Sequence, residues 1–565
     1  MSASSFFRYG RRLFWTGLAV TLGAAVVVSL DSDDAPGSKA VFAQDNAAPQ
    51  PKFQGLRSCV PCHNEDTSRS SIFAALNPEF CSLNEIATFE RDKHRLAYEL
   101  LTGPLGQHMQ KILAVGRDTA EKKYKVTEDE NCLSCHANWH WKEGFDKPPQ
   151  FEFGVTCESC HGASSLWEGP HDAPEWRKES PKVKAEKYGF IDVRNPIGRA
   201  KQCFSCHIGN VQEGKVVTHE MYAAGHPPLP GIEIESFTEQ MPSHWRFLQE
   251  KGEFTFRDEY VKANFPGVEH DPLTDLPRTK STLIGGVMAM REALNLFASQ
   301  ANDEASTAAW PELAVFDCAA CHHDLASLGW RQKRGYGSSI PGRPQMFVWP
   351  EALIKAAVRH RAGDDDAKFE ADWQAFHGSM EKLRRSLDRR PFGAPADLKA
   401  AVLDEGGLIS WLDELAQDLF TSRVRQADAK RVLGTLATLS PESYPDYHTA
   451  RQLAWAIRTI QTELGTGSFP EFQPRPADET EKAAINRAVA NLKLFATWRD
   501  GARADAAAKA DGQLGDLTMN LRLKLPAGDK YLIAEQLPEA LKAAADYDPE
   551  WFRSQLRTVA KSLGE

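Results

Sequence analysis

Five copies of one short pattern, Cys-x-x-Cys-His, constrain this chain more than any other feature of its sequence. Two thiols three positions apart lie one helical turn from each other, close enough to add to the two vinyl groups of one haem. The residue after the second cysteine then directs an imidazole at the iron. The pattern therefore predicts five covalently attached haem c groups. The attachment residues are Cys59, Cys62, Cys132, Cys135, Cys157, Cys160, Cys203, Cys206, Cys318 and Cys321, and the proximal ligands are His63, His136, His161, His207 and His322.

Other uses of paired cysteines explain the pattern less well. A zinc site needs a recurrent distant ligand pair and does not explain a histidine at the same place five times. A thioredoxin-like motif occurs once per domain beside a βαβ unit, and disulfides do not require the histidine. Cys81, the eleventh cysteine, lies outside the pattern and is predicted to be a buried thiol.

A haem iron has a second axial position, and chain geometry limits which histidines can fill it. His140 follows His136 by four residues, and His323 is adjacent to His322. At about 3.6 Å per residue at most, neither can pass round its own haem to the far face. We expect them to lie on the surface, in a supporting position or at a neighbouring haem.

Three other histidines are better distal candidates. His94 lies on a helical stretch whose small neighbours let a flat macrocycle approach. His219 and His226 are seven residues apart, which places them on nearly the same helix face about 10 Å apart, so that two neighbouring haems can take one each. Gly225 and the prolines after His226 end that helix, so His226 can instead lie on the exit turn.

The stretch "GVTCESCHGASSLWEGPHD", residues 154–172, resembles the third haem segment of the tetrahaem cytochrome c-554 family, which accepts electrons from hydroxylamine oxidoreductase. The resemblance covers residues 55–245. It implies that His171 is the distal ligand of the first haem and that His94, in "FERDKHRLA", serves a later haem, the fourth. A fifth motif and more than 200 further residues lie outside the family pattern.

The same resemblance leaves the second haem without a distal histidine. Five haems have only four good distal candidates, which are His94, His171, His219 and His226. The number of candidate histidines therefore also leaves one haem without a distal ligand. We therefore predict an open position at the haem of His136, which would be the place for any catalysis. The alternative is that His108 or His244 fills it from elsewhere in the fold.

The N-terminus indicates export. Three arginines within residues 8–12 precede an apolar run, residues 13–30, and "AVFAQD" suits cleavage after Ala43. A run of this length is at the lower limit for spanning a bilayer, so an uncleaved anchor is the alternative. We expect a periplasmic or otherwise exported protein whose membrane contact is limited to this segment.

The remaining chain is predicted to be helical. The expected fold is mainly α, a multihaem cytochrome c with haems among short helices and loops, followed by a helical domain. A helix is predicted over residues 282–297. Apolar stripes at helical spacing run through residues 369–387, 408–419 and 453–464, and a last helix starts at Pro549. Residues 473–484, rich in proline, glutamate and alanine, are predicted to be a linker between helices. The predicted division is residues 1–50 as signal or anchor plus linker, 51–340 as a pentahaem domain and 341–565 as a helical domain.

These features favour an electron carrier in respiratory or nitrogen-compound redox metabolism, with redox proteins as partners. A net charge of −10 without a long basic block argues against nucleic acid. The alternative is an oxidoreductase acting on a small nitrogen or sulfur compound at an open haem. A pentahaem nitrite reductase is set aside, because that family uses a lysine-ligated haem and all five motifs here end in histidine.

Overall fold

Helices and loops make up the described part of this computed structural model, and strand-type pairing within it is limited to two isolated bridges. The mainly α fold predicted from the sequence is therefore confirmed. The structure describes residues 50–64, 85–138, 150–229, 231–245, 247–250, 256–301, 310–322, 332, 336, 339–347, 349–466 and 549–563.

The helices are short in the first half of the chain and longer in the second. Numbered α1 to α19, they are Leu56–His63, Glu85–Phe89, Ala97–Thr102, Pro104–Leu113, Glu130–His136, Cys157–His161, Pro181–Tyr188, Pro196–His207, His219–Ala223, Ile234–Thr238, Arg257–Asn264, Pro277–Gln300, Glu351–Ala362, Asp366–Arg389, Pro395–Val402, Leu408–Thr421, Gln426–Ala437, Tyr447–Thr466 and Pro549–Ser562.

Helix α12 is at the centre of the main hydrophobic core. Every side chain from Thr279 to Met290 is buried, and proline at its first position suits a helix start. A helix that is buried on all sides must be surrounded by others. It packs against α8, α13, α16 and α18. This helix is predicted from the sequence over residues 282–297, and the structure extends it at both ends.

Neighbouring helices approach α12 so closely that two positions have no room for a side chain. A methyl group on Gly285 would overlap the side chain of Ile234, and one on Gly286 would overlap that of Leu353. These glycines therefore allow α10 and α13 to pack directly on the α12 backbone.

We expect Gly286→Ala to lower the free energy of unfolding by about 1–3 kcal/mol, because the new methyl group overpacks a close contact. Gly378→Ala is the matched control, since Gly378 lies within α14 with open space around it. That change should be neutral or stabilise by up to about 1 kcal/mol, the helix propensity difference. Urea denaturation followed by circular dichroism measures both, and equal effects at the two positions would contradict the packing argument.

The C-terminal helices agree with the predicted apolar stripes. Helix α14 buries Phe376, Met380, Leu383 and Leu387. The core cluster includes residues from Ala200 to Ala560, so residues on both sides of position 340 share it. The described residues all fall within one compact unit, residues 50–565, and the division into a haem domain and a helical domain stays a prediction.

No helix among the described residues combines the length and hydropathy needed to cross a membrane. Of the predicted signal or anchor plus linker, residues 1–50, only Gln50 is among the described residues. Cys81, His140, His323 and the predicted linker, residues 473–484, lie outside them. The three histidines of the later helices lie away from the motifs: Nε2 of His360 is 3.0 Å from Ser422 Oγ, the His377 ring contacts Trp373, and Nδ1 of His448 is 3.3 Å from Arg451.

Candidate haem sites

Four of the five motifs lie at the C-terminal ends of short helices, α1, α5, α6 and α8, whose last residue is the motif histidine. The fifth begins in a 3₁₀ turn, Cys318–Ala320, where the backbone N–H of His322 donates to the Cys318 carbonyl at 2.7 Å. In each motif about one helical turn thus separates the first cysteine from the histidine, and the second cysteine is adjacent to the histidine. The ten motif cysteines form no disulfide bonds in the described part of the chain. The sites are numbered 1 to 5 in the order of their motifs.

Four motif histidines face a second histidine that is distant in sequence. These four pairs come from every site except site 3. The ring centroid distances and interplanar angles are 6.1 Å and 14° for His63 with His171, 6.3 Å and 83° for His136 with His226, 6.3 Å and 88° for His207 with His94, and 6.2 Å and 28° for His322 with His219.

This spacing is what two imidazoles bound to one metal ion require. An imidazole nitrogen lies about 1.1 Å from its ring centroid and binds a transition metal at about 2.0–2.1 Å, so two rings on one ion have centroids roughly 6.3 Å apart. Direct stacking would bring ring centroids closer, to about 4.5 Å at the short end of the usual range. The residues at sites 1, 2, 4 and 5 therefore fit a haem iron between each pair.

Hydrogen bonds hold one nitrogen of most paired rings and leave the other for a metal. Nδ1 of His63 is 2.8 Å from Glu85 Oε2, and Nδ1 of His94 is 3.0 Å from Asp92 Oδ1. Backbone carbonyls accept from three further rings at 2.5–2.8 Å: Ala97 from His136, Glu168 from His171 and Pro227 from His226. Metal-ligating histidines commonly donate their second N–H in this way, which fixes the tautomer and the ring orientation.

Burial keeps several of these rings neutral, the form that binds a metal. Desolvation lowers the pKa of His207 and of His226 to about 4. It also lowers the pKa of His136, despite the hydrogen bond to the Ala97 carbonyl, which acts in the opposite direction. Because burial penalises the imidazolium form, these side chains present a free electron pair at neutral pH.

The structure brings His171 from the third motif segment to site 1. His171 lies in a 3₁₀ turn, Pro170–Asp172, and the Trp167 ring packs against its edge at 5.5 Å. His94 likewise reaches site 4 from a turn that follows site 1. Asp92 caps that turn by accepting from the His94 backbone N–H at 3.0 Å. These are the partners that the family resemblance implies for the two histidines.

The expectation of an open position at His136 is not supported, because His226 faces it. Helix α9 starts at His219 and ends at Ala223, and Gly225 adopts a positive φ of 112° just before His226. This reversal directs His219 and His226 to different sites, sites 5 and 2. Counting distal candidates along the chain could not reveal this, since the exit turn decides where His226 points.

Site 3 is the exception among the five. In the part of the chain that the structure describes, no histidine ring faces His161 at the spacing of the other pairs; Phe190 stacks on it with centroids 5.7 Å apart and planes inclined by 19°. Its Nδ1 is buried without a hydrogen-bond partner, and burial lowers its pKa to about 4. His244 is near enough to lower that pKa further by charge repulsion. The structure does not bring His108 or His244 against His136.

Neighbouring motifs also touch one another through hydrogen bonds of their spacer and flanking residues. The Gln202 side chain donates to the Ser159 carbonyl, which joins sites 3 and 4. Ser159 Oγ donates to Asn138 Oδ1 at 2.9 Å, just after the second motif, which joins sites 3 and 2. The segments of sites 2, 3 and 4 are thus in direct contact.

Glu158, a spacer residue of the third motif, ties three of these sites together. Its carboxylate is 1% exposed and accepts from the backbone N–H groups of Gln54 and Gly55, just before α1, at 2.9 and 2.8 Å. It also accepts from Asn138 Nδ2, just after the second motif, at 3.1 Å, and from the N–H and Oγ of Ser164 at 2.9 and 2.7 Å.

Sequence reasoning missed Glu158 and the acceptors Glu85 and Asp92. A signal existed for Asp92, since an aspartate two residues before a candidate ligand can cap its turn. Glu85 and Glu158 carry no such signal, because Glu85 lies 22 residues from His63, and Glu158 joins segments that lie 20 and more than 100 residues away.

Comparison with known proteins agrees with the prediction of a multihaem cytochrome c from the motifs. Residues 58–162 match the family model described as cytochrome c554 and c-prime. Cytochrome c-554 of Nitrosomonas europaea is 24% identical over 174 residues, which are 29% of this chain and 61% of that protein. No solved structure matches the chain. The predicted resemblance to the cytochrome c-554 family is confirmed, and the motifs of sites 4 and 5 lie beyond the segment that the family model matches.

Proposed function

Because this chain resembles the cytochrome c-554 family through its haem-binding part, we propose that it is an exported c-type cytochrome that carries electrons along five covalently bound haems. The observation that supports this most is the set of four histidine pairs, each joining a CxxCH histidine to a second imidazole at 6.1–6.3 Å. A haem with two histidine ligands exchanges single electrons and has no free position for a substrate.

The motif residues then have distinct tasks. The ten cysteines bind the porphyrin edges as thioethers, and the five motif histidines hold the irons. His171, His226, His94 and His219 are the distal ligands of sites 1, 2, 4 and 5. Glu85 and Asp92 orient two of these imidazoles through their Nδ1 atoms and raise their basicity.

The proposed location is the periplasm or a comparable exported space, and the proposed partners are redox proteins. Haem attachment at CxxCH motifs and the arginine-flanked apolar run, residues 13–30, both favour export. A role in nitrogen-compound metabolism rests on the resemblance alone.

We expect the mature protein to retain five haems per chain after acid–acetone extraction, measured by a pyridine haemochrome assay in a host competent for cytochrome c maturation. Electron paramagnetic resonance of the oxidised protein should show low-spin haems of two kinds. Nearly parallel rings at sites 1 and 5 give rhombic signals, and nearly perpendicular rings at sites 2 and 4 give strongly anisotropic ones. Four or fewer haems per chain would contradict the proposal.

Site 3 supports a second candidate function, an oxidoreductase acting on a small molecule. The distinguishing observation is that His161 has no facing histidine among the described residues. Ser243 and Trp245, which flank His244, line a cleft of about 510 Å³ that also contains Arg278 and Arg458. An iron held by His161 alone would have a free axial position for nitric oxide or a similar ligand.

Titration of the reduced protein with carbon monoxide tests this candidate. We expect one haem per chain to bind it, and His226→Ala to raise the number to two by opening site 2. If the parent protein binds none and its oxidised spectrum is wholly low-spin, a further histidine completes site 3 and the enzyme candidate fails. Binding at site 2 of the parent would instead contradict the pairing of His136 with His226.

A further inference from the structure

The fifth haem site lies outside the family resemblance, and its contacts indicate where it joins the others. His219, which faces His322 of site 5, and His226, which faces His136 of site 2, are the two ends of one eight-residue segment. Between them, the Tyr222 ring lies 6.0 Å from the His226 ring. One short piece of chain thus supplies both sites.

This segment is held firmly on the side of site 5. Glu312, six residues before Cys318, is buried, and its Oε1 accepts from the backbone N–H of His219 at 2.7 Å. The same oxygen accepts from the N–H of Ala314 at 3.0 Å. The chain that leads into the fifth motif is therefore bonded directly to the start of α9.

Sites 1 to 4 adjoin one another through hydrogen bonds. Glu158 of the third motif accepts from the backbone N–H groups of Gln54 and Gly55, just before α1, which joins site 3 to site 1. The Gln202 side chain donates to the Ser159 carbonyl, which joins site 3 to site 4. Ser159 Oγ donates to Asn138 Oδ1 at 2.9 Å, just after the second motif, which joins site 3 to site 2.

Site 4 is joined in turn to site 2. Lys215 Nζ donates to Ser205 of the fourth motif at 3.0 Å, and Ser134 of the second motif donates to the Gly214 carbonyl at 3.2 Å. The segment around Gly214 therefore bonds to both motifs.

We infer that site 5 joins the other four sites through site 2, in the order 5, 2 and then sites 3, 4 and 1. This inference rests on the proposed electron-carrier function. One segment supplies a histidine to both site 5 and site 2, and hydrogen bonds join site 2 in turn to sites 3 and 4. A one-electron donor or acceptor protein at site 5 would therefore exchange electrons with sites 1, 3 and 4 by way of site 2.

Photoinjection of single electrons at site 5 tests the order. Leu313 is exposed and adjacent to Glu312, so Leu313→Cys in a Cys81→Ser background provides a thiol for a ruthenium polypyridyl label. The light-excited label takes one electron from a sacrificial amine, which is oxidised, and passes it to the iron of site 5, which is reduced. Transient absorption then follows the reduction of the other haems.

The decisive variant is His226→Met, because a thioether ligand raises the reduction potential of site 2 and retains the electron there. We expect reduction of sites 3 and 4 to slow at least about tenfold. His171→Met, which makes the same change at the far end, is the matched control and should leave their reduction within twofold of the parent. Equal effects of the two variants, or no effect of His226→Met, would overturn the order.

A second variant tests the inference independently, in case the His226→Met protein does not fold. Cys318→Ala combined with Cys321→Ala should leave four haems that dithionite still reduces, while photoinjection from the label falls at least about tenfold. Undiminished injection would show that the label reaches another site first and would overturn the terminal place of site 5. A parent protein without five reducible haems would instead refute the proposed function itself, so the two failures are distinguishable.

Discussion

Replacing Glu158 by alanine should lower the free energy of unfolding by about 4–5 kcal/mol and loosen three haem sites together. The carboxylate is fully buried and accepts hydrogen bonds from Gln54, Gly55, Asn138 and Ser164. Removing it leaves these donors in an apolar space, and each unsatisfied buried group costs about 1–3 kcal/mol. Relaxation and entry of water recover part of that sum.

Chemical denaturation of the haem-loaded protein, followed by Soret absorbance, measures this effect. Glu158→Gln should cost less, because its carbonyl oxygen still accepts some of the same hydrogen bonds. Glu152→Ala is the matched control: that glutamate is largely exposed, lies 4.0 Å from Arg57 and should contribute less than about 1 kcal/mol. An unfolding midpoint of Glu158→Ala equal to that of the parent would refute the role of this carboxylate.

The second large effect is expected from His171→Met, which should raise the reduction potential of the haem on Cys59 and Cys62 by more than about 100 mV. Axial ligands move haem potentials across about 0.8 V, and methionine stabilises the reduced iron relative to histidine. The haem on Cys157 and Cys160 should stay nearly unchanged, although His171 follows it in sequence, because the His171 ring faces His63.

Spectroelectrochemical titration combined with electron paramagnetic resonance identifies the haem that changes. His377→Met is the matched control, since the His377 ring lies beside Trp373 in α14, away from the motifs. It should leave all potentials within the error of measurement. A shift confined to the haem of His161 would show that His171 serves its own motif's site, against the pairing in the structure.

The haem-attachment residues and many of the helices can be predicted from short sequence patterns, because each depends on residues that are close together in the chain. A CxxCH motif places two thiols and an imidazole within about one helical turn, so the attachment residues and proximal histidines can be read from the chain itself. The helices of the second half follow equally from apolar spacing, as α14 and α16 show. The assignment of His171 and His94 to distant sites needed more than spacing, and it came from the family resemblance.

Distal pairing at the second site depends on the path of the chain between elements. His226 was among the candidates, but the positive φ of Gly225 and the end of α9 decide that it faces His136. The prediction of an open second site assumed that the position of a histidine in the sequence indicates which haem it can reach in the fold. In the structure, the site without a described partner is that of His161.

The sequence by itself determined which residues can bind haem and that the chain folds as helices, because both depend on contacts within a few residues. Only the tertiary structure decided which imidazoles meet, which motifs adjoin and which carboxylate holds the motifs together. The physical reason is that a distal ligand or a buried acceptor such as Glu158 acts across about 20 to 100 residues of chain. The position of such a residue is set by the packing of whole segments, which a short sequence pattern does not predict.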